Sequence, residues 1–395
     1  MSKLEELIEK LCPKGVIYKN IGDIVIIEKG KQLNKTLLSD SGKYPVINGG
    51  ITPSGYWDEY NYQEGLITIS QGGASAGFVN YIETKFWAGA HCYVVSKVNE
   101  GINYRYIYHF LKSKEVELQN FQVGAGIPSV SLLDIKKLCL AVPPIEVQNE
   151  IVRILDNFTE LEAELEAELE ARKNQYEYYR DKMLKFSDNV KMVKFGNVAQ
   201  IQRGASPRPI SKFITDDENA VNWIKIGDVK SGMKYITNSN EKITMEGAKK
   251  SRFVKKGDFI LSNSMSFGRP YILKINGCIH DGWLSISDFK DYFVPDFLYY
   301  LLSSSKIQNE FKKKASFGGA VQNLNVDIVK AIEIPMPSIE EQKRIVSILD
   351  RFDKLCNDIT QGLPAEIEAR RKQYEYYRDK LLNFKELKVE NKTNY

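Results

Sequence analysis

Five polar loops carry the side chains with which a protein touches a polyanion. They are GKQLNKT with Lys31 and Lys35, QGGASAG with Gln71 and Ser75, RGASPRPISK with Arg203, Arg208 and Lys212, SNSMSFGR with Asn263 and Arg269, and ASFGGAVQN with Gln322. Arg and Lys meet phosphates and guanine edges, and Gln and Asn meet adenine, so such loops on a strand scaffold suit contacts to bases and phosphates. Ordinary turns share this composition, and at any single residue the turn reading stands beside the binding one. None of the five ends in the GK[ST] of a phosphate-binding loop, so QGGASAG is no sign of a nucleotide site.

Signs of catalysis are missing. His91 in AHCYV and His280 in IHDGW fall in comparable regions of the chain, but neither has a second histidine or a paired carboxylate at catalytic spacing, and both read as structural. Cys12, Cys92, Cys139, Cys278 and Cys356 are scattered with no CxxC pair, which reads as reduced, mostly buried thiols rather than a metal site. Pro143-Pro144 sits between Val142 and Ile145, so it is not the Asn/Asp-Pro-Pro-aromatic motif of an adenine methyltransferase. There is no glycine-rich fingerprint for S-adenosylmethionine, no Walker pair and no nuclease cluster. The chain reads as a binder that holds no metal or cofactor of its own.

The loops need elements to hold them, and those elements come twice. The octapeptide QYEYYRDK occurs at 175–182 and again at 373–380, an offset of 198. Upstream, PPIEVQNEIVRILDNFTEL around Gln148 matches PSIEEQKRIVSILDRFDKL around Gln342 at an offset of 194. Four extra residues therefore lie in the second copy, with Gln361, Gly362, Leu363 and Pro364 as the candidates. Weaker likenesses continue upstream, with IGDIVIIEKG recurring as FGNVAQIQRG and GLITIS as GDFILS. A period of this size marks a duplicated domain rather than a solenoid repeat.

In the first matched stretch the apolar positions Leu155, Phe158, Leu161, Leu165, Leu169, Tyr176, Tyr179, Met183 and Phe186 are spaced close to the seam of a coiled coil. Leu349, Phe352, Leu355, Ile359, Leu363, Ile367, Tyr374, Tyr377, Leu381 and Phe384 repeat the pattern. A helix of about forty residues spans ~60 Å, which is a rod rather than a connector. Two such seams predict an antiparallel pair about a pseudo-twofold axis, with the extra residues acting as a stutter and Gly362 and Pro364 kinking or breaking the second helix. The competing arrangement is two amphipathic helices, each packed on its own domain. Tyr176, Tyr178, Tyr179, Tyr374, Tyr376 and Tyr377 exceed what one seam buries, so part of that aromatic surface is expected to meet another protein.

The segments before the helices read as short strands with turns, each with one helical stretch (YRYIYHFLKSKEVELQNF and DFLYYLLSSSKIQNEF), giving an α+β class. The expected divisions are a first recognition domain with an N-terminal helix at 1–142, a helical spacer at 143–188, a second recognition domain at 189–336, a second spacer at 337–386 and a tail at 387–395. Net charge is +4, yet residues 145–186 hold 6 basic and 11 acidic side chains and residues 339–384 hold 9 of each. The positive excess thus lies in the globular segments, the sign expected of surfaces that meet nucleic acid. The start of the chain is amphipathic rather than signal-like and no apolar run reaches membrane-spanning length, so a cytoplasmic protein with no membrane contact is expected.

Two variable segments, each followed by a helix running from PPIEVQNEIVRILD to QYEYYRDK, resemble the specificity subunit of a type I restriction-modification system, and the likeness covers the whole chain. LCPKGVIYKNIGDI and SAGFVNYIETKFWAGAHCYVV resemble parts of the first recognition domain of that family. The resemblance implies two target-recognition domains, each reading half of a split double-stranded DNA site, and paired helices that set the gap and recruit two methyltransferase subunits. It implies that S-adenosylmethionine, ATP and Mg belong to partner subunits, with restriction subunits joining in the full complex. On that reading, deleting Gln361 to Pro364 is expected to shift the preferred gap. A coiled-coil scaffold that never touches DNA would not need two diverged α+β segments with basic loops. A self-sufficient restriction-methylation enzyme would carry the missing motifs, and a DNA mimic would be strongly acidic.

Overall fold

The structure is a computed structural model, and it describes residues 2–120, 129–229, 232–263, 267–315, 324–358 and 360–387. It is α+β and divides into two compact units, Met1–Glu164 with Glu368–Tyr395, and Leu165–Ile367.

In the first unit a four-stranded antiparallel sheet runs in the order Val25–Lys29, Cys92–Val98, Leu66–Ser70, Val79–Ile82. A smaller sheet orders Tyr56–Trp57, Tyr44–Ile47 and Trp87–Ala88, the last pair parallel. The central strands are apolar at successive positions because both faces are covered. Along CYVV, Tyr93 and Val95 join the core that includes the Tyr104–Ser113 helix, while Cys92 and Val94 join the core against the smaller sheet. Alternation of side chains across a strand requires that split.

The second unit repeats the plan with longer sheets. One orders Gln200–Arg203, Trp283–Ser287, Phe259–Ser262, Pro270–Leu273 and Tyr235–Ile236; the other orders Ile214–Thr215, Glu241–Ile243, Val221–Ile224, Gly277–Ile279 and Arg252–Val254. Phe259, Leu261, Leu284 and Ile286 face the helical core, and Ile260 and Trp283 face the other way.

Backbone hydrogen bonds align the units residue by residue. Gly30 N–H donates to Cys92 O and Gly204 N–H to Trp283 O, each at 2.8 Å. Gln71 N–H donates to His91 O at 2.9 Å and Asn263 N–H to Gly282 O at 3.1 Å, while Val130 and Leu324 close the far side on Gln71 O and Asn263 O. Cys92 N–H and Trp283 N–H each reach back 3.1 Å, to Gly89 O and His280 O. His280 therefore matches Gly89 and His91 matches Gly282, two residues away from the pairing that the sequence suggests. Glycine is required at the first of these positions. A Cβ on Gly30 would lie 2.2 Å from Gly89 O, and one on Gly204 would lie 2.0 Å from His280 O, closer than any real contact.

The first matched helix is continuous over the 39 residues Ile145–Met183. The second is not, for it divides into Ile339–Asn357 and Leu363–Leu381, the break expected from Gly362 and Pro364. Asp358 Oδ1 accepts from Thr360 N–H at 2.7 Å and Gln361 N–H at 3.2 Å, and Gly362 approaches the carbonyls of the last helical turn so closely that a Cβ would lie 2.6 Å from Lys354 O. Pro364 falls in the first turn of the new helix, where its missing N–H is not needed. The extra residues are thus taken up largely in a turn rather than as another turn of helix. The helix is broken at this point rather than continued through a stutter.

Each unit combines the start of one helix with the end of the other. In the first unit the Phe158 and Tyr377 rings stack at 5.5 Å, Glu162 pairs with Arg371 at 2.8 Å, and Tyr374 is buried. In the second unit Tyr179 stacks on Phe352 at 5.7 Å and Tyr176 is buried beside Tyr300. Matching residues make matching contacts. Beyond its final helix, the chain in the first unit pairs with Val16, whose N–H donates to Lys385 O while its O accepts from Leu387 N–H, both at 2.9 Å. In the second unit the matching bond, Val190 N–H to Ser187 O at 3.1 Å, lies within a single turn of chain.

Candidate nucleic-acid interface

Two side chains per unit fix the helix to the globular part. Gln148 is fully buried, and its Oε1 accepts from Asn103 N–H at 2.9 Å while its Nε2 donates to Pro143 O at 2.7 Å and Gly101 O at 3.2 Å. Gln342 repeats this with Val294 N–H at 2.8 Å, Tyr292 O at 2.9 Å and Pro337 O at 3.0 Å. The glutamine of the PPIEVQ and PSIEEQ segments is therefore a latch in both copies.

The aspartate of each ILD step is the second fixture. Asp156 accepts from Arg105 at 2.6 Å and from His109 Nε2 at 2.8 Å, and Tyr374 OH lies 3.0 Å from His109 Nδ1. The carboxylate accepts a hydrogen bond from Nε2–H, which leaves Nδ1 to accept from the tyrosine. Burial lowers the His109 pKa against the pull of Asp156. Burial would raise Asp156, but the hydrogen bonds from His109 and Arg105 outweigh it and hold the carboxyl below its ordinary range. In the second unit Tyr300 takes the place of His109 and donates to Asp350, with Lys234 Nζ 3.0 Å from that carboxylate and 2.7 Å from Asp296. Burial and the neighbouring Asp350 push the Tyr300 phenol well upward.

The strand ends carry the polar loops to one junction in each unit. In the first, Lys31 is exposed, its backbone N–H donating to Ala88 O at 2.9 Å and its O accepting from Trp87 Nε1 at 3.1 Å. Lys35 is exposed on a short 3-10 turn, and Ser75 is half-buried in the turn before Phe78. Gln71 is half-buried, and its Oε1 has no hydrogen-bond partner among the described residues. Asn48 and Gly89 join these residues and were not singled out from the sequence, because only the parallel pairing of Tyr44–Ile47 with Trp87–Ala88 brings them together. Asn48 Oδ1 accepts from His91 N–H at 3.0 Å.

In the second unit the hub is Asp281. Its backbone O accepts from Arg203 Nε at 3.2 Å and Asn263 Nδ2 at 2.8 Å, and its carboxylate meets Ser206 Oγ at 2.7 Å and Arg208 at 3.8 Å. The Ser206 hydrogen bond holds that carboxyl below its ordinary pKa. Arg203, Arg208, Lys212 and Arg269 are exposed. Asn263 is corrected as a candidate: it is 6% exposed and its amide is spent on Asp281, so it braces the loop. Gln322 lies outside the described residues. His280 is packed between Trp223 and Trp283, in keeping with a structural histidine, whereas His91 is exposed.

The tyrosines separate into two kinds. Tyr176 and Tyr374 are 9% and 6% exposed and belong to the unit cores, which removes them from the candidate partner surface. Tyr178 and Tyr376 are 60% and 62% exposed, each edge-on to Tyr179 or Tyr377. Of the cysteines, Cys139 is exposed and the other four are buried, and all five are free. Among the described residues no cluster could hold a metal, and no helix is long and apolar enough to cross a membrane.

Comparison with known proteins agrees with this architecture. The model of the type I restriction modification DNA specificity domain matches residues 13–171 and again 187–369. A protein of Haemophilus influenzae named as a type I restriction enzyme specificity subunit is 33% identical, over 96% of this chain and 98% of its own. A specificity subunit of an Escherichia coli type I restriction enzyme is 31% identical, over 97% of both chains. The crystal structure of a type I restriction-modification S subunit from M. genitalium superposes with a TM-score of 0.55 at 18% identity, covering 93% of this chain and 96% of that one, and so shares the fold. With two copies of the domain on one chain and full-length relatives, the protein belongs to the family of type I restriction-modification specificity subunits.

Proposed function

We propose that each unit reads one half of a bipartite double-stranded DNA site, and that the helices pair as an antiparallel coiled coil about a pseudo-twofold axis and set the gap between the halves. Dimeric readers place half-sites by the same geometric rule. The observation that carries this reading is the constant backbone frame of the two junctions with different side chains mounted on it: Lys31 and Asn48 in one unit, and Ala205 and Lys225 at the matching positions of the other. A shared frame with unlike side chains suits two readers of unlike sequence.

The exposed pairs Tyr178–Tyr179 and Tyr376–Tyr377 suit docking of two methyltransferase subunits, since aromatic residues are enriched in protein interfaces. On this reading the chain is non-catalytic and holds no cofactor. S-adenosylmethionine serves the methyltransferase subunits, ATP and Mg serve the restriction subunits, and the complex works in the cytoplasm on duplex DNA. Lys31, Lys35, Gln71, Ser75, Arg203, Arg208, Lys212 and Arg269 remain the proposed contacts to DNA.

Mapping methylated adenines in cells that express this chain with its methyltransferase partner tests the reading. A split motif is expected, and replacing residues 16–142 with the matching segment of a relative is expected to change one half only. Methylation without a split motif, or a change in both halves, would refute it. A scaffold that never touches DNA would leave duplex mobility unchanged in a gel with the methyltransferase present.

A further inference from the structure

A cavity of about 430 Å³ opens at the junction of the first unit, with Gln32, Lys35, Asn48 and Ser54 on its polar side and Leu33 and Val46 on its apolar side. Residue 89, on its wall, is glycine. A Cβ there would lie 2.8 Å from Asn48 Oδ1, so any side chain would displace Asn48 and enter the space. The matching residue of the second unit is His280, whose ring occupies that position against Trp223 and Trp283. The two units thus share a frame but differ at this point, with a glycine in one and a histidine ring in the other.

Asn48 is held ready. Its Oδ1 accepts from His91 N–H and keeps a second lone pair, while its Nδ2 has no hydrogen-bond partner among the described residues. An amide in that state offers a donor and an acceptor side by side, which matches adenine N6 and N7, or a single donor to thymine O4. The apolar wall of Leu33 and Val46 suits the thymine methyl, a group that no G·C pair presents in the major groove. Lys35, exposed at the rim, suits a flanking phosphate.

We propose that the Gly89 cavity is the specificity pocket of the first unit and reads one A·T pair of its half-site, with Asn48 as the base-contacting residue. The inference rests on the reading of the chain as a two-headed DNA reader and adds which position reads which pair. The test is methylome mapping with the whole chain and its methyltransferase partner. Asn48→Ala is expected to make one A·T position of the first half-site degenerate, with discrimination falling about tenfold, while the second half-site stays as it was. Asn48→Asp keeps the acceptor for His91 N–H and loses the donor, so it is expected to shift the same position toward cytosine, whose N4 donates. Thermal melting of both variants checks folding, and retained reading of the second half-site checks assembly. Substituting deoxyuridine for thymine at that position in a gel shift of the wild-type complex is expected to weaken binding. If the wild-type complex gives a split motif that both folded variants leave unchanged, the pocket assignment is overturned and the two-headed reading stands. If the wild type gives no split motif, the underlying reading falls first.

Discussion

Gln148 and Gln342 each make three hydrogen bonds to backbone from a site with no solvent. Truncating either leaves buried donors and acceptors unpaired, which costs about 1–3 kcal/mol per unsatisfied group. Gln148→Ala is therefore expected to destabilise the first unit by roughly 2–4 kcal/mol, and Gln342→Ala the second, read by hydrogen exchange in peptides of each unit. His109 makes the first unit sensitive to acid. Its folded pKa lies below the ordinary imidazole value of 6.5, so the folded state binds fewer protons and stability drops as pH falls below that value. The contribution of Asp156, whose folded pKa is also lowered, is present above 3.8 and lost as pH falls through the lowered folded value. Exchange protection of the first unit should decline below about pH 6.5, and that of the second as well, since burial likewise lowers the pKa of His280. His109→Gln should remove most of the decline in the first unit and leave that of the second, and an unchanged decline in the first would count against the assignment. The two latches were visible in sequence as a repeated Q and ILD but not as latches, because their partners lie about 50 residues away. Asn48 and Gly89 gave no sign at all, since their meeting depends on strand pairing.

At the scale of elements, the interruption by Gly362 and Pro364 was legible from residue type, whereas Leu161 and Leu355, counted in the apolar seams, are exposed. The form of the interruption was not, because it depends on Asp358 capping the turn and Gly362 closing on the carbonyls behind it. That geometry reverses one expectation. Deleting Gln361 to Pro364 removes both helix breakers and restores the length of the first copy, so the predicted result is a gain in helix by circular dichroism with the gap between half-sites unchanged. A gap altered in the methylome would show that the turn contributes to spacing. The tyrosines follow the same physics. A helical residue faces a core or solvent according to its place in the period, and only packing tells which, so Tyr176 and Tyr374 turn inward while Tyr178 and Tyr376 face outward.

For the molecule as a whole, duplication was plain from the repeated octapeptide, and α+β character from strand and helix patterns. Each unit also borrows the final helical stretch of the other copy, which composition could not reveal. The pairing of Val16 with Lys385 and Leu387 completes that exchange. Where the second unit runs through Ser187 to Val190 by covalent chain, the first makes the same join by hydrogen bonds between distant segments. Cutting the chain between Ser187 and Val190 is therefore expected to leave the second unit with the kind of hydrogen-bonded join that the first already has.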